Sequence, residues 1–317
     1  MFRSRAVVMA TVLITAFTAA TGTGTAASAG ARIYIPWTQQ TVFALAPDRS
    51  YVAEWNGPGE GWTVIGGAAQ RVLAGSAGVF EIDDSGDIEQ YSGTPGGWTV
   101  IGGPGFQFVE GAGHLYAIGV GETYVAEWNG PGEGWTVIGG AAADDQIYAG
   151  PAGLVLETPY DKETLLYGGT PGAWTEIGGP AGSVGVGNAI YRTDPSGEFV
   201  EQWSGGTTWT PIFDSGSADD GAILGGAGGG GLTIECCGSG TAEYKYNGTP
   251  YSWTEISAGG LGNPLPSAVS DTQIYGITVS DVTSSSIDVS SVDIYNGSGT
   301  SWTVIGGPAY YILGAGD

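Results

Sequence analysis

The 317-residue chain sets 32 acidic side chains against 8 basic ones, for a formal charge of −24. That balance repels nucleic acid and anionic membranes, which bind through Lys and Arg neutralising phosphate, and it disfavours anionic polysaccharides for the same reason; neutral sugars, cations or a basic protein partner stay open. Acidity alone can accompany disorder, but 42% hydrophobic residues and 11 tryptophans describe a chain that folds.

At the N-terminus, Arg3 and Arg5 form a short basic end, Ala6 to Ala20 an apolar run, and a Thr/Gly/Ala tail ends in Ala27-Ser28-Ala29. This pattern predicts a secretory signal over residues 1–29 with an A-x-A cleavage site, too short and wrongly flanked for a membrane span. Ser4 separates the two arginines, so there is no twin-arginine signal, and no cysteine lies near the cut. The expectation is a secreted, extracellular protein without a membrane span, forming a single domain over residues 30–317.

From there the phrase Trp-Thr-x-Ile-Gly-Gly, or a close relative, recurs seven times, on Trp62, Trp98, Trp135, Trp174, Trp209, Trp253 and Trp302. A period of about 40 residues with strand-and-turn chemistry inside it marks a ring of β-blades. The second unit shows the grammar. Residues 70–75 read as a first strand, Val79 to Ile82 as a second, Ile88 to Tyr91 as a third and Trp98 to Ile101 as a fourth. Gly, Pro, Asp and Ser turns join them, which means antiparallel hairpins throughout. The third strand ends on an aromatic in every unit: Trp55, Tyr91, Trp128, Tyr167, Trp203, Tyr246 and Tyr295. Residues 51–69 are identical to 124–142. No segment shows a sustained helical period.

The expected fold is therefore all-β, a seven-bladed β-propeller of four-stranded antiparallel blades ending near residues 67, 103, 140, 179, 214, 257 and 307. Radial stacking covers both faces of each sheet and leaves only short edges. A parallel β-helix is the competing repeat fold, but its coils need no Asn-Gly and Pro-Gly hairpins at every reversal. Residues 308–317 copy the first-strand column and are expected to close the ring through the first blade; Ala31 to Thr38 is the alternative closing strand. Blades six and seven depart from the pattern, through Gly225 to Gly231 and a Ser/Thr/Asp insert from Asp281 to Ser291.

Few residues invite chemistry. Cys236 and Cys237 are adjacent and can form a vicinal disulfide in an oxidising compartment, most simply as a turn lock. His114 is the sole histidine, with no G-x-S-x-G elbow beside it, which argues against a catalytic triad and against histidine-rich metal sites. Carboxylates leave a polysaccharide hydrolase or lyase open by residue type. However, Glu54, Glu89, Glu127, Glu201 and Asp293 recur beside the third-strand aromatics, which suggests repeated sites or a solvated face. Asp83 to Asp87 reads as a hairpin turn, lacking the spacing and closing Glu of a calcium loop. No cofactor and no metal are expected.

The fourth-strand tryptophans read as packing between blades. The third-strand aromatics are ambiguous. They too can be packing, but the polar residues that follow them make a flat ring beside amide and hydroxyl groups, as a sugar requires. The candidate carbohydrate-binding residues are Trp55, Asn56, Tyr91, Trp128, Asn129, Tyr167, Trp203, Tyr246 and Asn247.

The W-T-x-I-G-G ending, the aromatic-Asn-Gly-(Thr)-Pro-Gly stretch before it and the 40-residue unit resemble the tachylectin-2-type and related bacterial β-propeller lectins, and are similar to the propeller lectin subunits of secreted actinobacterial toxin particles. The resemblance implies non-catalytic sugar binding in shallow sites between or within blades, one per repeat at most. Neutral glycans or a cell-surface polysaccharide would be the ligand; a protein partner in a secreted complex is the alternative. Gly205-Gly206-Thr207-Thr208 and Gly299-Thr300-Ser301 replace the Pro-Gly loop in blades five and seven, which puts sites there in doubt.

Overall fold

The computed structural model describes residues 41–158, 163–216, 223–228, 231–236, 242–270, 273–282 and 287–314. The expected signal segment, the alternative closing strand Ala31 to Thr38, and Cys237 lie outside them.

The described residues form seven four-stranded antiparallel sheets. In blade two the strands are Arg71–Gly75, Gly78–Ile82, Ile88–Tyr91 and Trp98–Gly102, each within a residue of its expected bounds. Turn chemistry explains the accuracy. The reversal at Gly86, for example, needs a left-handed φ of 87°, and Asp83 Oδ1 holds that turn by accepting from the amides of Ser85 (2.8 Å) and Asp87 (2.9 Å).

Closure is by the C-terminal strand. Tyr311–Gly314 pairs antiparallel with Val42–Leu45, with Phe43 opposite Leu313 and Leu45 opposite Tyr311, and so becomes the innermost strand of blade one. The inner strands touch one another in order around the ring, and Tyr311–Gly314 touches those of blades two and seven, Arg71–Gly75 and Pro264–Val269. The core lies between blades rather than within one. Phe43, Leu45, Val52 and Ile65 of blade one, for instance, pack with Val72, Val79 and Tyr91 of blade two. A single twisted sheet cannot cover its own faces, so each depends on its neighbours for burial. Blade seven is drawn out at its middle hairpin, where the expected insert lengthens the strands Ile274–Val282 and Ile287–Tyr295.

The repeated motif has a structural reason. In every blade the pairing of the third and fourth strands shifts register at the isoleucine, with a second shift in blade five; in blade one Val52 faces Gly66 and Ala53 faces Val64, so Ile65 is the extra residue of a β-bulge. The bulge turns the isoleucine side chain inward and takes its carbonyl out of the ladder. The next blade's tryptophan claims that carbonyl. Trp98 Nε1 donates to Ile65 O (2.8 Å), Trp135 to Ile101 O (2.9 Å), Trp174 to Ile138 O (3.0 Å) and Trp209 to Ile177 O (2.7 Å). Trp253 donates to Ile212 O (2.8 Å), Trp302 to Ile256 O (2.6 Å), and Trp62 to Ile305 O (2.7 Å) across the closure. The glycine after the isoleucine makes room for the indole: a β-carbon on Gly139 would lie 2.5 Å from Trp174 Nε1, and one on Gly178 2.5 Å from Trp209 Nε1. The packing role expected for the fourth-strand tryptophans is thus a seven-membered belt of hydrogen bonds.

Trp135→Phe keeps an aromatic side chain but removes the donor to Ile101 O and the part of the indole that carries it. The expected cost is about 1–2 kcal/mol in denaturant unfolding, with the slope unchanged. A neutral result would mean that this member of the belt contributes nothing to stability through its hydrogen bond.

Candidate functional site

The third strand and the loop that follows it open on the same face of the ring as the turn between first and second strands. The aromatics that end the third strands are wedged between blades. Trp55, Tyr91, Trp128 and Tyr246 are buried, while Tyr167 and Trp203 are partly exposed. Four meet the second-strand aromatic of the preceding blade edge-on: Trp55 with Tyr275 (6.2 Å), Trp128 with Phe80 (5.6 Å), Tyr167 with Tyr116 (6.4 Å) and Tyr246 with Tyr191 (6.3 Å). Tyr91 joins the core cluster of Phe43. Trp203 turns toward its own loop and donates to Gly206 O at 2.8 Å.

The asparagines that follow are exposed and brace the hairpin. Asn56 Nδ2 donates to Gly61 O (3.1 Å) and Thr63 Oγ1 (2.9 Å). Asn129 Oδ1 accepts from Thr136 (3.1 Å), Asn247 Oδ1 from Thr254 (3.1 Å) and Asn296 Oδ1 from Thr303 (3.0 Å). The threonine of Trp-Thr is therefore the partner of the residue after the aromatic, a side-chain lock across the loop. In blade five Ser204 and Thr210 make the same link at 2.6 Å. Each amide keeps spare hydrogen-bonding capacity toward solvent.

On this face a cleft of about 790 Å³ spans blades six, seven and one. Tyr295, Asn296 and Thr303 of blade seven line it together with Trp55 of blade one, Gln273 before the second strand of blade seven, and Lys245 of blade six. Of the expected sugar-binding residues, only Trp55 reaches this cleft. Asn56, Tyr91, Trp128, Asn129, Tyr167, Trp203, Tyr246 and Asn247 take the equivalent places in their own blades around the ring. Lys245 and Gln273 escaped the reading of the chain. The signal for Lys245 was present: it is the one basic residue in a column otherwise holding Glu54, Gln90, Glu127, Leu166, Gln202 and Ile294.

Elsewhere the charged groups are tied into the frame. His114 Nδ1 lies 2.7 Å from Glu127 Oε1, and Glu127 Oε2 accepts from Tyr167 of the next blade at 3.5 Å. Arg192 pairs with Glu201 (2.8 Å) and lies over the Trp209 ring (4.3 Å). Two of the carboxyls buried among the described residues are held well above the usual carboxylate range. Burial, then the neighbouring Glu89 and Asp83, pushes Glu81 up to about 8; burial and Glu235 push Glu243 up to about 8. Cys236 is buried and disulfide-bonded, with Cys237 outside the described residues. Among the described residues no group of three or more His, Cys, Asp or Glu is placed to hold a metal ion.

No protein-family model matches the chain, and no curated protein does. Among solved structures it is similar to the GH74 enzyme of Niastella koreensis, at 15% identity and a TM-score of 0.47, over 72% of this chain and 37% of that one. The chain thus spans little more than a third of that enzyme's length. It is also similar to YCF48 from Cyanidioschyzon merolae, at 14% identity and a TM-score of 0.45, over 77% of this chain and 88% of that one. The six-bladed Aleuria aurantia lectin, a fungal protein described as recognising fucose, is similar at 18% identity and a TM-score of 0.33, over 75% of this chain and 95% of that one.

Proposed function

We propose that the protein is a secreted, non-enzymatic lectin of the tachylectin-2-type propeller kind, binding neutral glycans or a cell-surface polysaccharide at several weak sites. The observation that carries this reading is the cleft at blades seven and one. There an aromatic pair, Tyr295 and Trp55, meets an exposed amide and hydroxyl, Asn296 and Thr303, in a space of the size small ligands occupy. The same trio of aromatic, amide or hydroxyl, and threonine recurs in every blade but the fourth, where Gly168 follows the aromatic, and a rigid ring of weak sites gains avidity toward a repeating target. A glycan array followed by titration checks it. The expected result is binding to a neutral glycan with more than one sugar per protein, and silence on all neutral glycans at high density would sink the proposal.

A second reading, a scaffold for a protein partner, draws on the outer strands. Val304, Val64, Val100 and Val137 of the adjacent blades seven, one, two and three are all more than half exposed on sheet edges. It is the better reading if a stable complex co-elutes with the protein from culture supernatant and no glycan binds.

A further inference from the structure

The charge of the cleft is opposite to that of the protein. Among the described residues no carboxylate lines it and Lys245 is the one formally charged lining residue, in a chain of net charge −24. Cations are scarce here, and two of those among the described residues are committed. Arg49 donates to Tyr310 Oη at 2.9 Å and lies over that ring, and Arg192 is paired with Glu201. Lys245 makes no ion pair among the described residues. It is partly buried in the third strand of blade six, Ala242–Tyr246, between Thr233 and Thr254 on the flanking strands. Its stem passes Gly231, where a β-carbon would stand 3.8 Å from Lys245 Cε.

The position addresses the following blade. In blade three the same column holds Glu127, which reaches the third-strand aromatic of blade four, Tyr167. In blade six the column holds an ammonium, and the next aromatic is Tyr295 of the cleft.

We infer that this cleft selects a sugar carrying a carboxylate, a uronic acid residue of a glycan, with Lys245 on the carboxylate and Asn296, Thr303 and Gln273 within the same cleft for hydroxyls. This rests on the carbohydrate-binding reading above and narrows it at this one cleft from a neutral to an acidic sugar, leaving the neutral-glycan reading to the other positions. The overall negative charge slows the approach of such a ligand without cancelling the contact, because solvent-exposed charges beyond about 8 Å are largely screened at physiological salt. A charge-assisted hydrogen bond is stronger than a neutral one, by enough to give about a tenfold preference.

The test titrates the intact protein with methyl glucuronide, methyl glucoside and N-acetylglycine, at low and high salt. Wild type is expected to bind the glucuronide about tenfold more tightly than the glucoside at one site, with the margin shrinking in salt. Lys245→Met should bring the two sugars level at an unchanged melting temperature, and Lys245→Arg should keep most of the preference. Equal binding of both sugars by wild type, or a preference that survives Lys245→Met, overturns the inference and leaves the lectin reading standing. N-acetylglycine binding as tightly as the glucuronide overturns the sugar assignment in favour of a peptide carboxylate. Silence toward both sugars overturns the inference alone if a neutral glycan still binds on the array, and overturns the lectin reading with it if the array is silent too.

Discussion

Replacing Gly150 with alanine is expected to spring the ring at its centre. A β-carbon there would lie 2.1 Å from Val186 O and 2.7 Å from Val186 C, the backbone of the next blade's inner strand. Gly111 is in the same position one blade earlier, its β-carbon falling 2.1 Å from Gly150 N. A flexible side chain can swing away from such a clash, but a backbone held in a four-stranded sheet cannot move without moving its blade. Close-packed interiors resist added volume, so each variant should lose about 3 kcal/mol or more, a fall of about 6–12 °C in melting temperature for a chain of this size. Gly67→Ala is the control, since nothing lies within 4 Å of its β-carbon position and it is expected to be neutral within about 0.5 kcal/mol. If Gly150→Ala melts with wild type, the inner strands are not in the contact described.

Removing the buried charge at Glu81 and Glu243 should stabilise the protein, and only in part of the pH range. Glu81 is 4% exposed, and its Oε2 has no hydrogen-bond partner among the described residues; Glu89 stands directly opposite on the neighbouring strand. Glu243 faces Ser257 on the outer strand, the register place held by Val52, Ile88, Val125 and Val292 in four other blades, and it is 3% exposed. Both folded-state values are raised to about 8, above an unfolded value near 4.5. The folded protein therefore holds more protons than the unfolded chain between those limits. Stability is fully present below about pH 4.5, falls as pH rises, and the loss is complete above about pH 8, the reverse of an ion-paired carboxylate. A shift of that size is worth on the order of 5 kcal/mol for each group.

Glu81→Gln and Glu243→Val should accordingly match wild type at pH 4 and melt well above it at pH 9. The comparison with wild type matters, because self-repulsion in so acidic a chain also weakens it as pH rises. Variants whose melting curves run parallel to wild type from pH 4 to 9 would show that neither carboxyl is protonated in the folded state.

Much of this architecture was legible in the chain because it is written locally and repeated. Each strand is bounded by residues that force a turn, such as Gly86, and seven copies average out the ambiguity of any one. The closing strand was legible because residues 308–317 copy the first-strand column; Ala31 to Thr38 offered a rival for that place, and it is Tyr311–Gly314 that pairs with Val42–Leu45. The role of the isoleucine was not legible. Two-residue alternation cannot reveal that Ile65 is inserted, with its carbonyl turned toward a tryptophan 33 residues away. The aromatic-Asn pairs were harder still. Their composition suits a sugar, yet burial sets Trp55, Tyr91, Trp128 and Tyr246 between blades, and the asparagines spend part of their bonding on Thr63, Thr136 and Thr254.

What the chain determined by itself was the unit and its number: local turn chemistry sets four strands, and a period of about 40 residues repeats them seven times. What only the tertiary structure decided was which residues meet. Gly150 touches Val186, Trp62 reaches Ile305 across the closure, and Lys245 shares a cleft with Tyr295 and Trp55 from two other blades. Those contacts join residues far apart in the chain, and they exist because each sheet must hide its faces against the next.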